Sequence, residues 1–259
     1  MEQYSLLFNM HCLKQFLLPL LSVSLLLKSV ASTYPLSTSC SSSEKYSDGD
    51  SFSNNLNQLI FVLATGSPSL GFGLGSIGQD PNKVNGLALC RGDVPSSECK
   101  RCIHTADAYV RRLCPFEREA IIWFDQCLLR YSDTEFFGEI DHKHKLYLQN
   151  TQNVTIPQLR FQAKVVELMY SLKTKAYLSP LLFATGMMEI GSEKLYGLAQ
   201  CSRDLSGGDC KRCLEVGIDK MAGYRVGKRG GRFLGGSCNV RYELYSFFDS
   251  DDIPQYSQE

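Results

Sequence analysis

The chain has 259 residues, with 27 basic side chains balancing 27 acidic ones. A neutral balance with no basic stripe argues against a nucleic-acid partner, and the length suits two modest domains, each with its own core. Eleven cysteines is a high count for this length, so the redox compartment decides how they are read.

Lys14 precedes an apolar run, FLLPLLSVSLLL, at 16–27, and SVAS follows it. This reads as a secretory signal peptide over 1–31, cleaved after Ala31. A run of about a dozen residues is too short to cross a hydrocarbon core of about 30 Å. Cleavage removes Cys12 and leaves ten cysteines, which in an exported chain reads as five disulfides.

DSFSNNLNQLIFVL (50–63) places Leu56, Ile60, Phe61 and Leu63 on one helical face. GLGSIG (73–78) matches a dinucleotide fingerprint letter for letter, but QDPNK follows where a helix is required, so no cofactor is expected. NGLALC (85–90) reads as a strand. PSSECKRCIHTADAYVRRL (95–113) opens with helix-start chemistry. Its Cys99, Cys102, Ile103, Ala106, Val110 and Leu113 recur at steps of three and four, which places both cysteines of the CxxC on the core side. AIIWFDQCLLRYS (120–132) and SCNVRYELYSFF (237–248) are rich in β-branched and aromatic residues and read as strands. Helices packed on an antiparallel sheet, an α+β class, follow from this order.

Zinc would require two CxxC or Cys/His pairs per module, and a redox couple a thioredoxin-like βαβ pattern. Neither is present, so the cysteines read as structural and no metal is expected. EIDHKHKLYLQN (139–150) reads as a linker, its DHKH a solvated charge run. His104 stands alone on its helix, no nucleophile–base constellation can be assembled, and the chain does not read as an enzyme. NVT (153–155) is a glycosylation sequon at Asn153. The stretch 251–259 is a polar, acidic tail without a lipid-anchor signal.

Sliding the chain on itself by 111 residues lays VNGLALCRGDVPSSECKRCI (84–103) on LYGLAQCSRDLSGGDCKRCL (195–214) and CLLRYS (127–132) on CNVRYE (238–243). The chain past its leader is two copies of one module. Copy one has Cys40, Cys90, Cys99, Cys102, Cys114 and Cys127; copy two has only Cys201, Cys210, Cys213 and Cys238. Two cysteines absent together imply a Cys40–Cys114 bond, which leaves three pairings open for the rest of copy one. Its closed loop of about 75 residues implies roughly 4.5 kcal/mol in the chain-entropy model, so copy two is expected to unfold first.

The duplicated Cys-x8-Cys-x2-Cys, together with GLALCRGD, AIIW-D-CLLRYS and GKRGGRFLGGSCNVRYELYSF, resembles plant cysteine-rich repeat secretory proteins. Their modules are homologous to the seed antifungal protein ginkbilobin and are called stress-antifungal domains. The resemblance implies domains at 33–138 and 151–250, each with two helices on a five-stranded antiparallel sheet. It implies the bonds Cys40–Cys114, Cys90–Cys99, Cys102–Cys127, Cys201–Cys210 and Cys213–Cys238. It further implies a secreted, apoplastic, non-enzymatic binding protein in defence or stress signalling, with mannose-type carbohydrate or cell-surface receptor proteins as partners. The alternatives are an antifungal mannose lectin acting through domain 2 and an ectodomain-like fragment of a cysteine-rich receptor-like kinase. Ginkbilobin-like modules bind mannose through an asparagine, an arginine and a glutamate. Copy one holds Ser41, Ile121 and Ser132 there, whereas copy two holds Asn150, Arg232 and Glu243, with a plain Arg232–Glu243 salt bridge as the competing reading.

Overall fold

The computed structural model describes residues 34–41, 44–223 and 227–248. The leader 1–31 and the tail 251–259 lie outside the described residues, as does Arg225, the counterpart of Cys114.

Module one runs β1 (Ser37–Cys40), α1 (Ser51–Leu70), β2 (Phe72–Ile77), β3 (Val84–Cys90), α2 (Ser96–Leu113), β4 (Ala120–Trp123) and β5 (Cys127–Ser132). Module two repeats the order as β6 (Lys145–Gln149), α3 (Gln158–Leu178), β7 (Phe183–Ile190), β8 (Glu193–Cys201), α4 (Gly207–Gly223), β9 (Gly230–Gly235) and β10 (Cys238–Glu243). Each module forms one antiparallel five-stranded sheet, in the orders β1-β4-β5-β3-β2 and β6-β9-β10-β8-β7.

Helix α1 starts where Asp50 accepts a hydrogen bond from the Ser53 N–H at 2.8 Å, one of the orphan donors of a first turn. It runs seven residues past the stretch legible in sequence, because Ala64, Ser67 and Pro68 are buried on the sheet, and it stops at Gly71 in the left-handed conformation (φ +71°). Two expected core positions turn outward: Phe61 is exposed, with Leu59 taking the inward place, and Leu113 is exposed in the last turn of α2. Cys99, Cys102, Ile103, Ala106 and Val110 do face the core. GLGSIG lies within and just after strand β2, ending in a turn at Gly78.

Five disulfides close the modules: Cys40–Cys114, Cys90–Cys99, Cys102–Cys127, Cys201–Cys210 and Cys213–Cys238. In each copy the CxxC cysteines part company, one tying the helix to the strand before it and the other to a strand after it.

The stretch read as a linker corrects the sequence reading. Residues 145–149 are strand β6, the edge of the second sheet, paired with β9 over five positions. Leu146 and Leu148 face the seam while Tyr147 packs on Phe233 at 5.2 Å on the helix side, and the run is too short to separate from a tether by periodicity. The first half is only partly the solvated run expected: His142 and Lys143 are exposed, but the side chains of Asp141 and His144 are each only 2% exposed.

Strand alternation gives each sheet one face toward its helices and one toward the other module. Leu87, Ile121, Trp123 and Leu128 of module one meet Leu234 of module two in a shared core, flanked by Leu36, Phe72, Leu89, Leu146 and Leu148. The two sheets thus pack face to face with helices outside. Trp123 Nε1–H donates to the Gly235 carbonyl at 3.1 Å, and the Gln200 side chain donates to the Cys90 carbonyl at 2.9 Å. No helix among the described residues is long and apolar enough to cross a membrane.

Candidate functional site between the two sheets

The three positions singled out in copy two do converge. Cys40 pairs with Ala120 and Gln149 with Gly231, positions related by the 111-residue shift. Gln149 is therefore the counterpart of Cys40, and Asn150 that of Ser41. The Asn150 N–H donates to the Gly230 carbonyl just as the Ser41 N–H donates to Glu119. Gly230 is the cross-strand partner of Glu243, and Arg232 that of Arg241. Asn150 thus lies at the end of β6, with Arg232 on β9 and Glu243 on β10, around one corner of the sheet.

Module one covers that corner. Arg232 is 7% exposed; its Nη1–H donates to Asp125 Oδ1 at 2.6 Å and its Nε–H to Asn239 Oδ1 at 3.1 Å. Asp125, in the turn between β4 and β5, also takes Arg241 at 3.0 Å and Arg91 at 3.3 Å. Arg91 forks onto Asp93 through Nε and Nη2 at 2.6 and 2.9 Å, and Arg241 Nε–H donates to Glu243 Oε1 at 3.1 Å. Three guanidiniums therefore meet three carboxylates, a neutral cluster in the low-dielectric seam between the modules. The expected Arg232–Glu243 bridge is replaced by Arg232–Asp125 and Arg241–Glu243. The Asn150 side chain accepts from the Gln152 N–H, and Glu243 Oε2 is buried without a hydrogen-bond partner.

Burial pulls the Arg232 guanidinium down to about 10 despite Asp125 beside it, which leaves it charged at neutral pH. Burial would raise the Asp125 carboxyl, but Arg232, Arg241 and Arg91 outweigh it and hold it below the usual carboxylate range. Burial dominates at Glu243 and raises it, with Arg241 opposing.

A second cluster repeats the first across the pseudo-twofold relation. Arg130, the counterpart of Arg241, donates to Asp141 at 2.9 Å. Position 236, the counterpart of Asp125, is glycine, and a Cβ there would lie 2.6 Å from Asp141 Oδ2. The glycine leaves room for Asp141 to supply the carboxylate instead. His144 Nδ1–H donates to Asp141 Oδ2 at 2.7 Å, and the N–H groups of Lys143 and His144 donate to Oδ1. Burial would raise the Asp141 carboxyl, but these donors and Arg130 hold it at about 2.

Sequence reasoning found Arg232 and Glu243 but missed Asp125, Asp141 and His144. Asp125 is the middle residue of a three-residue turn in a stretch read as one strand. The one available signal was its replacement by glycine in the other copy. Among the described residues no group of three or more His, Cys, Asp or Glu side chains is placed to hold a metal ion. Asn153 is exposed, in an isolated bridge to Lys228.

Fold and seam define a class: a tandem of disulfide-stapled α+β modules fused through their sheets. The family model for salt stress response/antifungal (Stress-antifung) domains matches residues 39–134 and 148–245, and the chain belongs to that family. It is 50% identical over 231 residues to an antimicrobial ginkbilobin-2-like protein of Castanea crenata, covering 89% of this chain and 95% of that one. It is 47% identical over 198 residues to cysteine-rich repeat secretory protein 38 of Arabidopsis thaliana, covering 76% and 78%. Among solved structures it is similar to the tandem DUF26 ectodomain of the Arabidopsis thaliana cysteine-rich receptor-like protein PDLP5. There the TM-score is 0.70 at 25% identity, covering 82% of this chain and 99% of that one. The same ectodomain of PDLP8 gives 0.70 at 24% over 83% and 100% and shows the fold alone.

Proposed function

We propose that the protein is a secreted, non-enzymatic extracellular binding protein of plant defence or stress signalling, acting through its outer surface on a cell-surface receptor protein or a glycan. The observation that carries this is the fate of Arg232. The one arginine placed to read a sugar is buried and held by Asp125, while the helix faces of both modules point to solvent. The relatives' names, antimicrobial and secretory, support the setting, and the ten paired cysteines fit an oxidising compartment. Titrating mannose into the oxidised full chain by calorimetry tests it, with no saturable heat as the expected outcome. Saturable heat that Arg232→Ala abolishes, in a variant that still unfolds cooperatively, overturns it.

The second reading is an antifungal mannose lectin through domain 2. It is favoured by the spare acceptor on Glu243 Oε2 beside Gly230, and it requires module one to uncover Arg232. The receptor-like ectodomains of the same fold favour a third, an ectodomain-like role with another receptor as partner. Asn153, exposed beside Lys228, fits a glycan acceptor. A mass loss on enzymatic removal of N-linked glycans, absent in Asn153→Gln, is the expected result.

A further inference from the structure

Each sheet leaves two strands with one side unpaired, β1 and β2 in module one and β6 and β7 in module two. An unpaired edge is a template for another chain, and proteins blunt it by shortness, lysine, proline, a bulge or a cover. Strand β1 has four residues and is stapled at Cys40, and β6 has five and opens on Lys145. Strand β2 has six and is weakened by Gly73 and Gly75. Strand β7 is different. Its eight residues, FATGMMEI, include no lysine, arginine or proline, and it pairs with β8 at every position without a bulge.

The parity of that pairing decides which groups are free. The Cys201 N–H donates to the Leu182 carbonyl at 2.8 Å just before the strand, and Ile190 faces Glu193 across a two-residue turn at its end. The even-numbered residues of β7 therefore exchange their bonds with β8. Phe183, Thr185, Met187 and Glu189 turn their N–H and C=O groups outward. Among the described residues no backbone hydrogen bond outside the β7–β8 pairing reaches those groups. The strand is held from both faces: a Cβ on Gly186 would lie 3.0 Å from Leu172 of α3, and one on Gly92 of module one 2.4 Å from the Phe183 ring. Its far half is nevertheless open, with Met187 48% exposed and Glu189 exposed as well.

We infer that β7 is a self-association edge whose partner is β7 of a second copy of this chain, running antiparallel about a two-fold axis at Gly186. Outward-facing residues must meet outward-facing residues, and this register overlaps the whole strand. Phe183 meets Glu189 of the second copy and Thr185 meets Met187, each pair exchanging both of its bonds. The lone charge of the strand, Glu189, then stands at opposite ends in the two copies, so no like charges face each other. The basic and acidic side chains of the chain balance at 27 each, so no net charge holds two copies apart. A segment of another protein would have to bring a matching strand, whereas a second copy supplies one in register. The pairing joins the second sheets of both copies into one, and it stands whether the outer surface reads a receptor or a glycan.

The test is a concentration series of the oxidised full chain, from micromolar to millimolar, followed by sedimentation equilibrium and amide hydrogen exchange. The mass is expected to rise toward twice that of the monomer. The amides of Thr185, Met187 and Glu189 are expected to gain protection in step with it, while those of Gly186 and Met188, already bonded to β8, do not change. Met187→Pro deletes an outward N–H and spares the β7–β8 ladder, a change that edge strands accept. The loss counts twice across the two-fold and is expected to weaken association at least about tenfold, or about 1.4 kcal/mol. Met187→Lys removes no bond of the monomer and is expected to weaken association about threefold or more, because it sets two ammoniums diagonally adjacent on one face. A mass that stays monomeric at millimolar concentration overturns the second copy as partner. Outward amides protected at every concentration overturn it in favour of a segment of the same chain. A dimer that survives undiminished in either variant, folded, overturns β7 as its seat.

Discussion

The two modules share a fold and divide the means of holding it. Module one ties its edge strand β1 to the end of α2 through Cys40–Cys114, a sequence separation of 74. Module two has Gln149 in place of Cys40 and holds its edge strand differently. Strand β6 pairs over five positions rather than four, and the Asp141 cluster anchors the chain just before it to module one. A covalent staple in one copy is answered in the other by a buried carboxylate that grips Arg130 across the seam. The neighbouring module thus takes over part of the anchoring that a lost disulfide would have supplied.

The sharpest way to break this comparison is to remove the staple. The double change Cys40→Ala with Cys114→Ala is expected to lower stability by about 4 kcal/mol, most of the loop-closure value. Hydrogen exchange on the unaltered chain should show module two opening first. In the double variant that order should vanish or reverse, and equal protection of both modules before the change would refute the ranking.

Removing the carboxylate that three arginines share should cost nearly as much. Asp125→Ala leaves Arg232 buried without its partner, a loss of about 3 kcal/mol, read as a lower denaturant midpoint. A separate, earlier transition for module two would show that Asp125 couples the modules rather than merely supporting its own.

The second carboxylate has a pH signature. Asp141 stands at about 2 in the folded chain against 3.8 as a free side chain. Its folded value is depressed, so its contribution is fully present above about pH 4 and disappears as pH falls toward 2. Near neutrality it amounts to roughly 2 kcal/mol. Acid unfolding followed by tryptophan fluorescence should lose part of its steepness in Asp141→Asn. An unchanged profile would remove Asp141 from the account of how module two is held. The smallest effect is expected at Trp123→Phe, which forfeits the bond to the Gly235 carbonyl for about 1 kcal/mol, measurable by chemical denaturation.

What the sequence displayed, and what it concealed, follows the same division. The internal repeat exposed the fold, because cysteine spacing and strand composition survive in both copies. The absence of two cysteines from one copy pointed to a bond in the other. The seam stayed hidden for a physical reason. Arg232 and Arg241 are charged residues at positions that periodicity assigns to a sheet's outer face, and Asp125 and Asp141 lie in a turn and a joining segment; at all of these charge ordinarily means solvent. Only the opposing sheet makes them interior, and no local pattern records a surface 107 residues away along the chain. The same blindness turned β6 and DHKH into a tether.

That stretch has a mechanical consequence. Strand β6 belongs to the second sheet, Asp141 and Lys143 grip Arg130 and Glu119 of the first module, and the seam itself is an apolar core. The peptide bonds between Asp141 and Lys145 carry almost none of the cohesion between the halves. A protease that nicked the chain there would yield two fragments that migrate as one particle until denaturant separates them. Over residues 35–248 the two modules share one seam and are not two beads on a string.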